Sequence, residues 1–197
     1  MVIVCQITKH FRHFLTAKMM SRSKSEIRAA AKSAVKALTS EQKREKSMLI
    51  VKNIAASTLI KGAKTVALYS SLPDEVMSGE LIALLATEKR VVLPRVTGDD
   101  MDFYPYEAAN MEVGAFGITE PQGTEAIDPK EIDVVVVPGV AFTTDGKRCG
   151  RGKGYYDKYL SRAGFRAAKM GVCYAEQLAE DIPNEPHDIV MDCVIFG

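Results

Sequence analysis

At 197 residues the chain suits one domain, long enough to bury a core without disulfides. Hydrophobic residues make up 47% and charged residues 26%, and a formal net charge of +1 gives no global field toward nucleic acid or a membrane surface. Four cysteines, at 5, 149, 173 and 193, form no Cys-x-x-Cys pair and have no histidines at ligand spacing, which argues against a zinc site or a disulfide framework.

Residues 1–25 carry Lys9, Arg12, Lys18, Arg22 and Lys24 but no acidic residue. Such leaders resemble mitochondrial presequences, although this one is poor in serine and only weakly amphipathic. The expectation is a basic extension over 1–22, disordered or targeting, ahead of a single α/β domain over 23–197. Ser23-Lys-Ser-Glu26 is a capping box, followed by a helical stripe at Ile27, Ala30, Ala31, Ala34, Val35 and Leu38. A second box, Thr39-Ser-Glu-Gln42, opens a helix expected to reach Ile60 and stop near Gly62.

Strands and helices then alternate. A strand is expected over 65–69, a helix over 78–89, a short strand over 91–93 ended by Pro94, and another over 101–106. Residues 107–132 hold Gly114, Gly117, Pro121, Gly123 and Pro129 and read as one long loop, of a length that usually serves function. A core strand over 134–137, a helix over 155–162 and strands over 169–173 and 191–196 complete the chain. This order argues for a mostly parallel sheet covered on both faces, with ligands outside the carboxyl ends of the strands.

The most informative segment is Asp145-Gly-Lys-Arg-Cys-Gly-Arg-Gly-Lys-Gly154, with four glycines and four basic residues in ten positions. It lies between an apolar run and a helix start, where glycine backbone, helix N-terminus and side-chain cations can together trap an anion. Lys147, Arg148, Arg151 and Lys153 supply the charge, and a polyphosphate is the natural ligand. A solvated surface turn is the plainer alternative. The spacing fits neither a Walker A loop nor a dinucleotide fingerprint, since Tyr155 stands where the latter needs its third glycine.

Asp157 follows Lys153 by four residues and could hold magnesium against such phosphates, or simply pair with a loop arginine. Asp188 in Pro186-His-Asp188 is a second oxygen donor, whereas His187 reads as structural or exposed. Glu75, after the first strand, could accept hydrogen bonds from an NH-rich heterocycle; helix capping by Asp74 and Glu75 is the alternative. Tyr155, Tyr156 and Tyr159 could wall a flat ligand, but Tyr156 and Tyr159 also have the spacing of a packed helix face. Lys24 and Arg28 share one face of the first helix, which by itself means solvent exposure.

The run Val137-Pro-Gly-Val-Ala-Phe142, continuing through Gly146-Lys-Arg-Cys-Gly-Arg-Gly-Lys-Gly-Tyr-Tyr-Asp157, resembles the signature of the 5-formyltetrahydrofolate cyclo-ligase (5,10-methenyltetrahydrofolate synthetase) family. The likeness extends to Lys24-x-x-x-Arg28, to residues 69–75 and to Pro186-His-Asp188, covering roughly 23–196. It implies a Rossmann-like three-layer α/β/α domain and an ATP- and magnesium-dependent ring closure of 5-formyltetrahydrofolate to 5,10-methenyltetrahydrofolate. The resemblance further implies that ATP is bound by Lys24, Ser25, Glu26, Ile27 and Arg28 and by Arg148, Cys149, Gly150, Arg151, Gly152, Lys153, Gly154, Tyr155 and Tyr156.

Lys153 and Arg151 would then be catalytic, with Lys153 nearest the transferred phosphoryl group. Asp157 and Asp188 would bind Mg2+, and Ser70, Glu75, Phe116 and Tyr155 the folate. Phe116 falls where some relatives carry tryptophan. The expected partners are small molecules, ATP and a reduced folate, rather than nucleic acid or membrane. A monomer in the cytoplasm is expected, with a homodimer and mitochondrial import as alternatives. Two other readings compete: a non-catalytic folate- or nucleotide-binding protein of the same fold, and an RNA-binding module using the loop and leader.

Overall fold

The computed structural model describes residues 22–114 and 117–197. Nearly all of the basic extension and Phe116 therefore lie outside the described residues. Both capping boxes form: Ser23 and Glu26 open α1 (Lys24–Ala37), and Thr39 and Gln42 open α2 (Ser40–Ala56). The second helix is not continuous to Gly62. Ser57 leaves the helical conformation, its hydroxyl accepts from Ile60 N at 3.3 Å, and a new helix, α3 (Thr58–Gly62), begins.

The chain continues through β1 (Thr65–Ala67), α4 (Gly79–Leu85), β2 (Arg90–Thr97) and β3 (Asp100–Pro105). Helix α4 is shorter than expected, and the Thr87 hydroxyl donates to Leu84 O just past its end. Pro94 does not end β2. Backbone groups of Arg90 and Val92 face β1, so the missing N–H of Pro94 points the same way, past the last β1 partner, and costs no ladder bond. The expected long loop contains a small hairpin, β4 (Met111–Val113) with β5 (Thr119–Pro121), and a 3-10 turn, Pro129–Glu131.

Next come β6 (Val134–Pro138), β7 (Ala141–Phe142), β8 (Arg148–Cys149), α5 (Tyr155–Leu160), β9 (Ala168–Cys173) and β10 (Cys193–Phe196). The main sheet runs β10-β9-β6-β1-β2-β3, parallel except for the edge strand β3. Alternation along β6 separates two cores. Val134 and Val136 face α2, α3 and α4 with Ile50, Ile54, Ile60 and Leu81, while Val135 and Val137 face α5 with Phe103, Phe142 and Tyr159. The result is a three-layer α/β/α arrangement.

From β1 the chain steps to β2 on one side and later returns to β6 on the other. Between the carboxyl ends of β1 and β6 lies the switch point where α/β sheets open a crevice. A buried hydrogen-bonded chain fixes the segment leaving β1. Met77 N donates to Ser47 Oγ at 3.0 Å, and Tyr174 OH donates to Glu75 O at 3.0 Å. Each hydroxyl has one proton, so the 3.0 Å contact between Ser47 Oγ and Tyr174 OH must be donated by serine. Ser47→Ala leaves the Met77 N–H without its acceptor inside α2's buried face. Urea denaturation should show a loss of about 1–3 kcal/mol.

Candidate active site

One cavity of about 970 Å3 opens at the switch point. That is the upper end of the range for small-molecule sites, with room for more than one ligand. Its walls come from the segment after β1, the strands β2 and β3, the glycine-rich segment, α1, and the loop before β10.

The basic segment divides into two parts. Its first half is a tight ribbon, β7 and β8, closed by Val140 N to Cys149 O at 2.8 Å and Thr143 N to Lys147 O at 3.0 Å. Lys147 there pairs with Asp181 at 2.6 Å and does not line the cavity. The second half, 150–154, lines the cavity throughout. Gly152 and Gly154 take φ values of 95° and 72°, a left-handed backbone that a side chain would strain. Gly154 also precedes α5 without any side-chain cap.

Helix α1 reaches this site by packing on the ribbon. Ile27 and Ala31 bury against Val140, Ala141 and Cys149. That contact turns Lys24 and Arg28 inward, and Arg28 Nε donates to Gly150 O at 2.7 Å. Of the expected nucleotide set on α1, Lys24 and Arg28 line the cavity. Ser25 and Glu26 are exposed, with Glu26 capping the helix, and Ile27 is core. Cys149 is fully buried, with its thiol pushed up by burial, and its Sγ lies 3.7 Å from Lys24 O rather than in the cavity.

The three acidic residues expected to hold metal or folate each carry a cation expected at the site too. Asp157 Oδ2 accepts from Arg148 Nη2 at 2.6 Å, and its Oδ1 accepts from Ile189 N at 3.2 Å. Asp188 Oδ2 meets Lys24 Nζ at 2.6 Å and Glu185 N at 2.6 Å. Burial alone would raise the Asp188 carboxyl, but Lys24 and the Glu185 N–H outweigh it and hold the group below the usual range. Glu75 Oε1 accepts Arg151 Nε at 3.1 Å and Nη2 at 2.9 Å, while Oε2 accepts Leu72 N at 3.0 Å. Arg151 Nη2 also donates to Asp74. Glu75 is raised by burial, the Leu72 N–H and Arg151 offsetting only part of it. Neither Asp74 nor Glu75 caps a helix; Ser78 is the N-cap of α4.

Among the described residues, Lys153 is the one cation of the basic segment without a protein partner, and it is exposed at the cavity. Arg148 is 8% exposed, and its Nε has no hydrogen-bond partner among the described residues. The Tyr156 hydroxyl is likewise buried and unpartnered, and burial pushes it well up. Tyr155 lines the cavity and reaches Gly98 O at 3.3 Å, whereas Tyr159 is core, edge-on to Phe103. Ser70 is at the rim and donates to Thr119 O at 2.7 Å. His187 is 71% exposed beside Glu185. No group of three or more metal-capable side chains occurs among the described residues.

Several wall residues were not singled out by the sequence. Pro94, Val96 and Met101 supply an apolar side from β2 and β3, and buried Glu120 enters from β5.

Among the described residues, no helix is long and apolar enough to cross a membrane. The family model described as the 5-formyltetrahydrofolate cyclo-ligase family matches residues 20–197. A mouse 5-formyltetrahydrofolate cyclo-ligase is 28% identical, covering 92% of this chain and 97% of its own. A cyclo-ligase of Mycolicibacterium smegmatis is 31% identical, covering 90% and 95%. The solved 5,10-methenyltetrahydrofolate synthetase of Aquifex aeolicus superposes with a TM-score of 0.79 at 37% identity, covering 88% of this chain and 89% of that one. Signature, sheet order and relatives agree: the chain belongs to the 5-formyltetrahydrofolate cyclo-ligase family.

Proposed function

We propose that the protein closes 5-formyltetrahydrofolate to 5,10-methenyltetrahydrofolate at the expense of ATP, and that residues 23–197 act as one catalytic domain. The observation that carries this reading is the convergence of the glycine-rich segment, Glu75 and both aspartates on one cavity. The formyl oxygen on N5 attacks the γ-phosphorus, and the bond to the β-phosphate oxygen breaks to release ADP. N10 then adds to the formyl carbon and loses its proton, and the C–O bond breaks to expel phosphate. Such phosphoryl transfer needs positioning and charge neutralisation more than covalent help from the protein.

In this reading Lys24, Arg28, Arg148 and residues 150–156 hold the nucleotide. Ile27 and Cys149 serve by fixing α1 on the ribbon, Glu26 serves by capping that helix, and Ser25 stands exposed beside Lys24. Arg151 helps to neutralise the phosphates, and Lys153, free of any carboxylate, meets the transferred phosphoryl group. Glu75, Ser70 and Tyr155 hold the folate against the apolar wall of Pro94, Val96 and Met101, with Phe116 as the remaining contact. Mg2+ usually takes one or two carboxylates plus phosphate oxygens, and the donor set fits. Asp188 Oδ1 accepts no hydrogen bond among the described residues, lying 4.0 Å from His187 Nε2. Asp157 and Asp188 would hold the ion, which would draw charge from the β- and γ-phosphates. We assign the reaction to a cytoplasmic monomer. Mitochondrial import through residues 1–22 is the alternative.

Incubation with 5-formyltetrahydrofolate and Mg-ATP should produce the methenyl chromophore in the near ultraviolet, and folded protein giving no such absorbance would refute the assignment. Lys153→Ala should lower kcat by about 100–1,000-fold while circular dichroism stays unchanged. Chelating Mg2+ in the same assay should abolish ADP release, and adding it back should restore the rate. Glu75→Gln should raise KM for the folate by about 10–100-fold, the worth of a charge-assisted contact.

A further inference from the structure

Arg151 stands on the nucleotide side of the cavity, yet all its hydrogen bonds run to the other side, to Asp74 and Glu75 behind β1. The two ends of this bridge differ in freedom. Glu75 is 8% exposed at its side chain, its Oε2 is held by Leu72 N, and its carbonyl is held by Tyr174 OH. Arg151 is 34% exposed and sits between Gly150 and Gly152, in a stretch whose backbone can turn. When the bridge opens, the arginine moves and the glutamate stays.

The bridge also uses the acceptor capacity that a folate would need. A carboxylate oxygen has about two lone-pair sites. Two Arg151 N–H groups fill those of Oε1, and Leu72 N takes one on Oε2. A heterocycle presenting two parallel N–H donors can be received by both oxygens only after Arg151 leaves Oε1. A polyphosphate at residues 150–154 offers the guanidinium a stronger anion than a carboxylate it already shares with Asp74.

We propose that Arg151 couples the two substrates by exchanging Glu75 for phosphate, so that nucleotide binding opens the folate subsite. This rests on the function proposed above and assigns Asp74 a part in holding the arginine across the cleft. The exchange makes the coupling positive, and linkage makes it reciprocal: each ligand tightens the other by the same factor.

Calorimetric titration of the full chain with 5-formyltetrahydrofolate, with and without a saturating non-hydrolysable Mg-ATP analogue, tests this. The analogue should lower the folate Kd at least about fivefold, and the reverse titration should return the same factor. In Arg151→Gln the factor should fall to about one. Two ligands that bind the wild-type chain independently or antagonistically would overturn the coupling and leave the assigned reaction standing, and so would an undiminished factor in folded Arg151→Gln. Failure of the wild-type chain to bind the nucleotide analogue, or to bind the folate even with the analogue saturating, would overturn coupling and assignment together.

Discussion

Charge pairing across the cavity is the interaction on which this site depends. Asp188 with Lys24 and Glu75 with Arg151 each join two segments distant in sequence, and Asp157 with Arg148 ties the ribbon to α5. Without its partner, each acid would be a partly or largely buried charge, which is costly in a low-dielectric cleft. The pairs therefore let carboxylates and cations share one small volume without local repulsion or stranded charge. They also hold α1, the β1 end, the glycine-rich segment and the loop before β10 in register before any phosphate arrives. Among the described residues Lys153 has no such partner, which leaves a positive charge exposed at the cavity where an incoming anion would meet it.

Much of the frame was legible because local chemistry and tertiary structure agree. Two capping boxes gave the starts of α1 and α2, and the Val134–Pro138 run gave the central strand, since a run apolar on both faces is expected where helices cover both. The failures have local causes. Ser57 restarts a helix that apolar spacing read as continuous. Pro94 was read as a strand end, because whether proline breaks a ladder depends on which neighbour its nitrogen faces, and that is a property of the sheet. The ribbon inside the glycine-rich segment was hidden because two-residue strands carry no usable periodicity.

The site was legible by composition more than by geometry. Glycines and cations together marked the segment proposed to bind phosphate, but not that Lys147 would turn away to Asp181 while Lys153 has no partner among the described residues. Lys24 and Arg28 had no internal signal beyond a shared helix face. Their role depends on Ile27 and Ala31 finding Val140 and Cys149, more than a hundred residues later. The apolar wall of Pro94, Val96 and Met101 was invisible for the same reason: ordinary strand residues become a binding surface only where the sheet edge meets the crevice.

The acids and bases of this cleft are not held alike, and that difference gives the site a direction. Asp157 and Asp188 accept backbone N–H groups as well as side-chain cations, and Glu75 is tied through both its carboxylate and its carbonyl. The chain Met77–Ser47–Tyr174–Glu75 carries that rigidity into the core packed on α2. Arg151 and Lys153, by contrast, sit among glycines, two of them in left-handed backbone. Fixed acceptors facing movable donors mean that, in the proposed reaction, an arriving polyanion would rearrange the cations first. The acids would then stand ready for the proposed metal and heterocycle without moving themselves. A site with the reverse arrangement, rigid arginines and mobile carboxylates, would bind phosphate as readily but would leave the folate subsite unformed.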